Sequence, residues 1–574
     1  MTSVPQQGRQ GPRAGAAIVA ASRARVLDLL GIAAAGIYAL PSLSYPHGND
    51  QALHWYVGQT LLEGGLPYDS AISGKPIGIF LIHALSSVLF GDGQMAIRLM
   101  EIPTLIAIAW LIVRLVREAD APARDGEWGA AAVLLAGIYY TFFDYWDTAH
   151  PELWEMALTL WAAHVALHEP RLVRRTLACG ALGGAAFMVK YPAAIIALPV
   201  AAVCGLRAMA LHARWSRRVI AVVQAAGLYL AGVAVAFGLC ILPFAITGTL
   251  GPMWEVLVTL LTRYAGQAPG APVGPAWVDL EHGGAALMAA GVFVFAGLIA
   301  ALRRGNAPAL LRGYFIVALS LAAFVSVILQ GRYFPYHYVA TAPLLAACIA
   351  FGLRQLLPSR AGIALGVSGL SVVAAFFAEP TWCTHAKVSY RTHTLRTLGY
   401  LDGSIRRELF VTAFVGNNYL DHYADHEHIG LEVRRRARPG DALCVRGFAP
   451  AIYQVAGLRC PSRLVMQPSP AGLPRWEIEF SRMLRTQRPR FVVTFDDRRD
   501  ELRVLGRLGY QGTPMPTLYI LMEHKPGELA RRFRDIPTRP HAGRPPRVRK
   551  PPKPTRAGKA KPPKIRTGKA PKPQ

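Results

Sequence analysis

From about residue 26 to about 378 the sequence is a succession of apolar runs of span length, divided by short polar breaks. A hydrocarbon core of about 30 Å takes about 20 apolar residues per helix. A helix also satisfies its own backbone hydrogen bonds in lipid. Spans are predicted at 26–44, 94–116, 128–146, 151–168, 173–189, 191–206, 219–247, 284–302, 313–330, 338–356 and 361–378, about eleven in all. The run Pro76–Phe90 has about 15 residues, which suits an interfacial or re-entrant helix better than a crossing. The first run follows Arg9, Arg13, Arg23 and Arg25 and shows no small-residue cleavage site, so it reads as an uncleaved first span. The fold class is an all-α polytopic membrane bundle with interfacial helices.

The formal charge is +27, yet only 17% of the 574 residues are charged. Two sources account for most of the excess. One is the tail from about 536, rich in Lys, Arg and Pro. The other is arginine in the short breaks between spans, which sets orientation. With an inside N-terminus, about 19 Lys and Arg lie in short inside segments against about 5 outside, as the positive-inside rule expects. The outside set is Lys75, Arg98, Lys190, Arg263 and Arg332. Those five do not serve orientation, which makes them functional candidates. No basic recognition helix or aromatic stacking motif supports a nucleic-acid partner.

The boundaries are a cytoplasmic segment 1–25, a membrane module 26–379, an extracytoplasmic domain 380–535 and a tail 536–574. In the third part, ALCVRG (442–447), RFVVTF (490–495) and TLYILME (517–523) read as strands. PAIYQVAG (450–457), WEIEFSRMLRTQ (476–487) and RDELRVLGRLGY (499–510) read as helices. Strands alternating with helices predict a small α/β layer. No glycine-rich phosphate loop opens these helices, so a lid, acceptor-binding or structural role is expected. Cys444 and Cys460 share this domain and could pair if it lies outside the cytosol, or stay as two thiols. The tail has almost no large apolar side chains and reads as disordered, with polyproline character. It could meet anionic lipid headgroups or an acidic polymer through charge, or serve as a solubilising extension.

PHGNDQALHWY (46–56) follows the first span, and apolar residues at helical spacing predict a surface helix up to Gly64-Gly65. Asp50 falls at its start, where the helix dipole favours a carboxylate. Asp50 and His54 are one turn apart and could share a divalent cation or a hydrogen bond; no other cofactor is indicated. Tyr333, Tyr336 and Tyr338 read most simply as an interfacial aromatic belt, with sugar stacking as the other reading.

The order Asp50, amphipathic helix, GGLPYD (64–69), Lys75-Pro76, Phe90-Gly91 and Arg98-Leu99 resembles the polytopic GT-C glycosyltransferases. Within them it is similar to the group of dolichyl-phosphate-mannose protein mannosyltransferases and bacterial aminoarabinose and galacturonate transferases. MVKYP (188–192), RYFPYHYVATAPLLAACIAFGL (332–353) and the form of 438–495 agree, and the likeness covers most of residues 26–525. The resemblance implies a polyprenyl-phosphate sugar donor, a membrane or cell-envelope acceptor and an inverting transfer on the extracytoplasmic face of the plasma (bacterial inner) membrane. Asp50 matches the family's catalytic first-loop acid. The family often places a second acid beside it; this chain has Gln51. Glu152 matches the acid of the second outer loop, with Asp144 and Asp147 as alternatives. Lys190 and Arg332, then Lys75 and Arg98, are the candidates to neutralise the departing phosphate, and His54, Tyr68, Asp147, Tyr336 and His337 to line the substrate. The competing classes are a transporter or flippase of lipid-linked glycans and a non-catalytic scaffold. Transporters place charge near the bilayer midplane and repeat their halves; here the acids gather at one face and no clear repeat is seen.

Overall fold

In a computed structural model of the chain the described residues are 12–118, 126–266, 274–377, 388, 390–415, 422–466, 473–495, 498–517 and 519–525. The basic tail lies outside them.

Each expected span falls on a helix. They are Pro12–Ala39 with its 3-10 extension Leu40–Ser44, Met95–Val116, Glu127–Phe142, Pro151–His168, Leu172–Val189, the broken pair Ala193–Ile196 and Leu198–Met209, Trp215–Ile246, Gly274–Arg303, Ala307–Gln330, the turn Pro335–Thr341 leading into Ala342–Leu356, and Ala361–Phe377. Six described segments are long and apolar enough to cross a membrane. The others fall short for visible reasons. Glu127–Phe142 has 16 residues and is buried along almost its whole length. Pro151–His168 carries Glu152 and Glu155 on its buried side. The chain is a multi-pass membrane protein. Pro76–Phe90 forms the short apolar helix Ile77–Phe90. The helix expected along the surface is present as Asn49–Leu62, but it is buried along most of its length, because Ile77–Phe90 and the domain helix Ala451–Ala456 pack on it.

Trp215–Ile246 shows how the spans divide between lipid and protein. Val223, Leu230, Val235, Leu239 and Leu242 face outward, while Ala221, Ala225, Gly232 and Ala236 are buried. Lipid tails are as apolar as leucine, so small residues that allow close approach hold such helices together. A Cβ on Gly180 would lie 2.0 Å from the Tyr229 carbonyl oxygen, and one on Gly232 would lie 2.2 Å from that of Leu177.

The Met95–Val116 helix has 22 residues and separates two polar ends by roughly 33 Å. At one end Arg354 pairs with Glu127 and lies 3.6 Å from Glu118, and Arg312 donates to the Leu115 carbonyl oxygen at 2.9 Å. These two arginines are buried and fasten the helices at this end. The first and second loops, 45–94 and 143–150, gather at the other end.

The C-terminal domain covers that second end. Its sheet has the order β1 (Leu443–Val445), β2 (Phe491–Phe495), β4 (Tyr519–His524), β3 (Tyr510–Pro514). β1 and β2 are parallel, and the other two pairings are antiparallel. The expected α/β layer is present, with one difference. Tyr510, expected at a helix end, opens β3, because the helix Arg499–Arg507 stops and Gly509 turns the chain with φ +90°. A buried cluster unites Tyr45 and Ala52 of the first loop and helix, Tyr145 and Trp146 of the second loop, Tyr336, and Phe410, Phe414 and Tyr423 of the domain. Polar ties add to it. The Ile72 amide donates to the Arg463 carbonyl oxygen at 2.8 Å, the Cys460 amide to the Tyr56 hydroxyl at 2.9 Å, and Gln94 to the Tyr423 hydroxyl at 2.7 Å.

Candidate active site

Asp50 lies in the first turn of Asn49–Leu62 and is half-buried. Its carboxylate has no hydrogen-bond or ion-pair partner among the described residues. Of the other acids at this end, Asp69 is exposed and Glu155 buried, both without a hydrogen-bond or ion-pair partner among the described residues, while Glu152, Asp144 and Asp147 are committed. Glu152, in the first turn of Pro151–His168, pairs with Lys190 at the end of Leu172–Val189; both are buried. Asp144 accepts from the Tyr145 amide at 2.6 Å and from His393 of the C-terminal domain at 2.9 Å. Asp147 accepts from the Asp144 amide at 3.3 Å and so closes its own loop.

The cations divide in the same way. Lys75 has no acid partner among the described residues, and its ammonium sits 5.6 Å from the Tyr336 ring centroid. Lys190, though paired, lies 5.6 Å from the same centroid. Lys75 is brought there by two neighbours. Tyr68, itself at φ +70°, donates to the Lys75 carbonyl oxygen at 2.9 Å. Gly78 lets its helix touch the chain just before Lys190: a Cβ there would meet the Met188 carbonyl oxygen at 2.4 Å. Tyr68 therefore acts behind the site and positions Lys75.

Arg98 is wholly buried and faces the second loop. It donates to the Thr148 hydroxyl at 2.6 Å and the Tyr145 carbonyl oxygen at 2.8 Å, and lies 3.5 Å from Glu101. Its two Nη atoms hold the loop, while Nε is buried without a hydrogen-bond partner among the described residues. Arg332 is half-buried just before the turn Pro335–Thr341.

The aromatic belt expected at 333–338 is corrected for two of its members. Tyr336 and Tyr338 are buried. Tyr336 stacks on His150 with centroids 4.2 Å apart, and His337 packs edge-on against Tyr336 at 4.6 Å. Two ammonium groups, each 5.6 Å from the Tyr336 centroid, favour this placement over a lipid-facing one, since a desolvated cation–π contact is worth about 2 kcal/mol.

His54 is fully buried. Neither ring nitrogen has a hydrogen-bond partner, so the expected bond with Asp50 is not made. Its neighbours are His83 and His150, at 5.6 and 6.3 Å between centroids. Burial, then Lys75, holds the His54 imidazole neutral, well below the ordinary histidine range. Burial, then Lys75 and Lys190, does the same for His150. Among the described residues no three His, Cys, Asp or Glu side chains are arranged to hold a metal ion.

Several neighbours were not anticipated from sequence. His150 and Glu155 flank Glu152 in HPELWE, and their i, i+3 and i−2 offsets were a readable signal. Glu101, which accepts from Tyr139 and the Ala149 amide, stands three residues from Arg98, a helical ion-pair spacing. His83 and His393 carry no local signal.

Residues 74–240 match the family described as dolichyl-phosphate-mannose-protein mannosyltransferase. Among solved structures, ArnT from Cupriavidus metallidurans bound to undecaprenyl phosphate matches with TM-score 0.50 and 14% identity, over 87% of this chain and 98% of that one. Its apo state matches with TM-score 0.49 and 14% identity, over 86% and 97%. The Archaeoglobus fulgidus oligosaccharyltransferase matches with TM-score 0.38 and 12% identity, over 85% and 73%. No curated protein matches the chain. The chain resembles the GT-C membrane glycosyltransferases in family signature and shares the ArnT fold.

Proposed function

We propose that this protein transfers a sugar from a polyprenyl-phosphate-linked donor to a hydroxyl of a membrane or cell-envelope acceptor. The observation that carries the reading is the pairing census of this face: Asp50 is an uncommitted acid and Lys75 a cation without an acid partner among the described residues. The acceptor oxygen attacks the anomeric carbon and its proton passes to Asp50. The bond from that carbon to the phosphate oxygen breaks in the same displacement, which inverts the centre. The polyprenyl phosphate leaves as an anion, stabilised by Lys75 and, beyond its pair with Glu152, by Lys190. Arg332, close in sequence to Tyr336, is the further candidate. The ArnT of similar fold was solved with undecaprenyl phosphate, which supports a lipid phosphate as the shared element. The arginine distribution supports a cytoplasmic N-terminus and an extracytoplasmic site, and the likeness to a bacterial ArnT supports the bacterial inner membrane.

The test uses the full chain in lipid nanodiscs with radiolabelled undecaprenyl-phosphate sugars and extracted envelope acceptors. Asp50→Asn should lower transfer 10²–10⁴-fold, the usual share of a general base, without lowering the melting temperature. Undiminished transfer in that variant would remove Asp50 from the reaction. Facilitated flipping with no transfer would move the protein to the transporter class.

A further inference from the structure

Gln51 stands where the resembling family often has an acid, and it is fully buried. Both halves of its amide are engaged. The carbonyl oxygen accepts from the Gly48 amide and caps its own helix. The NH2 donates to the carbonyl oxygens of Tyr145 at 3.0 Å, Trp146 at 3.3 Å and Thr148. Those three carbonyls converge because the second loop turns tightly, with Ala149 at φ +53°. Arg98 grips the same loop from the membrane side, sharing the Tyr145 oxygen, and Glu101 takes the Ala149 amide. Gly48 packs on the same loop, since a Cβ there would lie 2.6 Å from the Trp146 ring. Asp50 is the residue before Gln51, and Glu152 begins the helix that follows the gripped loop.

We propose that Gln51 is a positioning residue: its amide fastens the loop that carries Asp50 to the loop that leads to Glu152, and a carboxylate cannot replace it. The physical reason is the donor count. Three converging carbonyls need hydrogen-bond donors, and an ionised glutamate has none. A glutamate at this position would face a buried ring of acceptors unless it kept its proton. The position in this chain is therefore built for an amide, and it serves the site by geometry. The proposal rests on the transferase reading only for its kinetic arm.

The experiment compares wild type, Gln51→Glu and Gln51→Met in nanodiscs between pH 5 and pH 8. The charged groups around position 51 are Arg98 and Glu101 from the Met95–Val116 helix, Asp144, Asp147 and His150 from the gripped loop, His393 against Asp144, and His47 and Asp50 from its own segment. All are common to the three proteins, so their titration cancels in the ratio to wild type. The carboxyl that Gln51→Glu introduces would be buried against three carbonyl oxygens that only its protonated form can satisfy, and this outweighs the opposing pull of Arg98, so its folded pKa should lie above the unfolded value. The folded state of that variant therefore holds the proton and loses stability as pH rises above the unfolded value of about 4.3. The melting temperature of Gln51→Glu should fall away from wild type as pH rises, while Gln51→Met should stay a constant distance below it. At a temperature well under melting, the ratio of Gln51→Glu to wild-type transfer from an undecaprenyl-phosphate sugar should rise at least tenfold from pH 8 to pH 5, carried by kcat with donor KM unchanged. A purely structural residue would move the melting curve and leave that ratio flat. Gln51→Glu melting with wild type at pH 8 would overturn the proposal, as would a flat ratio beside an active wild type. If wild type itself transfers nothing, the transferase reading fails, and the pH-dependent melting still decides the role of the amide.

Discussion

Glu152 and Lys190 form a buried pair, with side chains 1% and 4% exposed, and Lys75 lies over the same Tyr336 ring as Lys190. Glu152→Gln would leave the buried Lys190 charge without its ion pair and beside a second ammonium, with only the more distant Glu155 to offset it. Removing one partner of a buried pair costs about 3–5 kcal/mol. That is a large part of the roughly 5–15 kcal/mol that separates folded from unfolded in typical domains. Removing both charges, as in Glu152→Gln with Lys190→Met, leaves no stranded ion and is often neutral or stabilising. The melting temperatures of the four proteins form a double-mutant cycle. Each single variant should melt far below wild type, and the double variant should recover most of the loss. Undecaprenyl phosphate adds a second readout. It should raise the melting temperature of Glu152→Gln more than that of wild type, because it supplies the anion the variant lacks. Two results would refute the reasoning: Glu152→Gln melting with wild type, or a double variant as unstable as the two losses added together.

Lys75 has no acid partner among the described residues. Lys75→Ala should therefore weaken undecaprenyl phosphate by about 1.5–3 kcal/mol, roughly 10- to 100-fold, with little change in melting, as read by a lipid-binding isotherm. Gly78→Ala pushes a methyl against the Met188 carbonyl oxygen, where a Cβ would lie 2.4 Å away, and should lower stability by about 1–3 kcal/mol. The same variant should weaken lipid-phosphate binding, because the Ile77–Phe90 helix carries Lys75-Pro76 at its start. The His54 and His150 rings are held neutral when folded, so their folded pKa lies below the unfolded value of about 6.5. The unfolded chain takes up those protons first. Stability is thus complete above about pH 6.5 and is lost as pH falls below it, and His54→Leu should flatten the slope of melting temperature between pH 7 and pH 5.

The membrane helices were legible because a span must be apolar over its whole length, and that pattern is local. The short helix Ile77–Phe90 was legible for the same reason, since 14 residues cannot cross. The site was legible only in part. Asp50, Glu152, Lys75 and Lys190 stood out because each is a charge near the end of an apolar run. Their pairing did not, because nothing near Glu152 in the chain says that Lys190, 38 residues away, will meet it. Arg98 looked like a free outer cation until its loop partners at 145 and 148 were seen. Gln51 looked like a gap in a motif, because a hydrogen bond to a carbonyl 94 residues away leaves no trace in a sequence window. The tyrosines at 336 and 338 have the composition of a belt, and only packing separates a belt from a lining.

The fastening of the first loop by the last domain also has a timing. Tyr56 meets the amide of Cys460 across a separation of 404 residues. A ribosome adding about 5–20 residues per second takes about 20–80 s to make that distance. During that interval the helix bearing Asp50 is already synthesised, while Arg459, Cys460 and Arg463 do not yet exist. The order of synthesis thus keeps Asp50 and its roof apart until residues 459–463 are made, so a chain stopped before them holds the proposed acid without the domain that covers its helix.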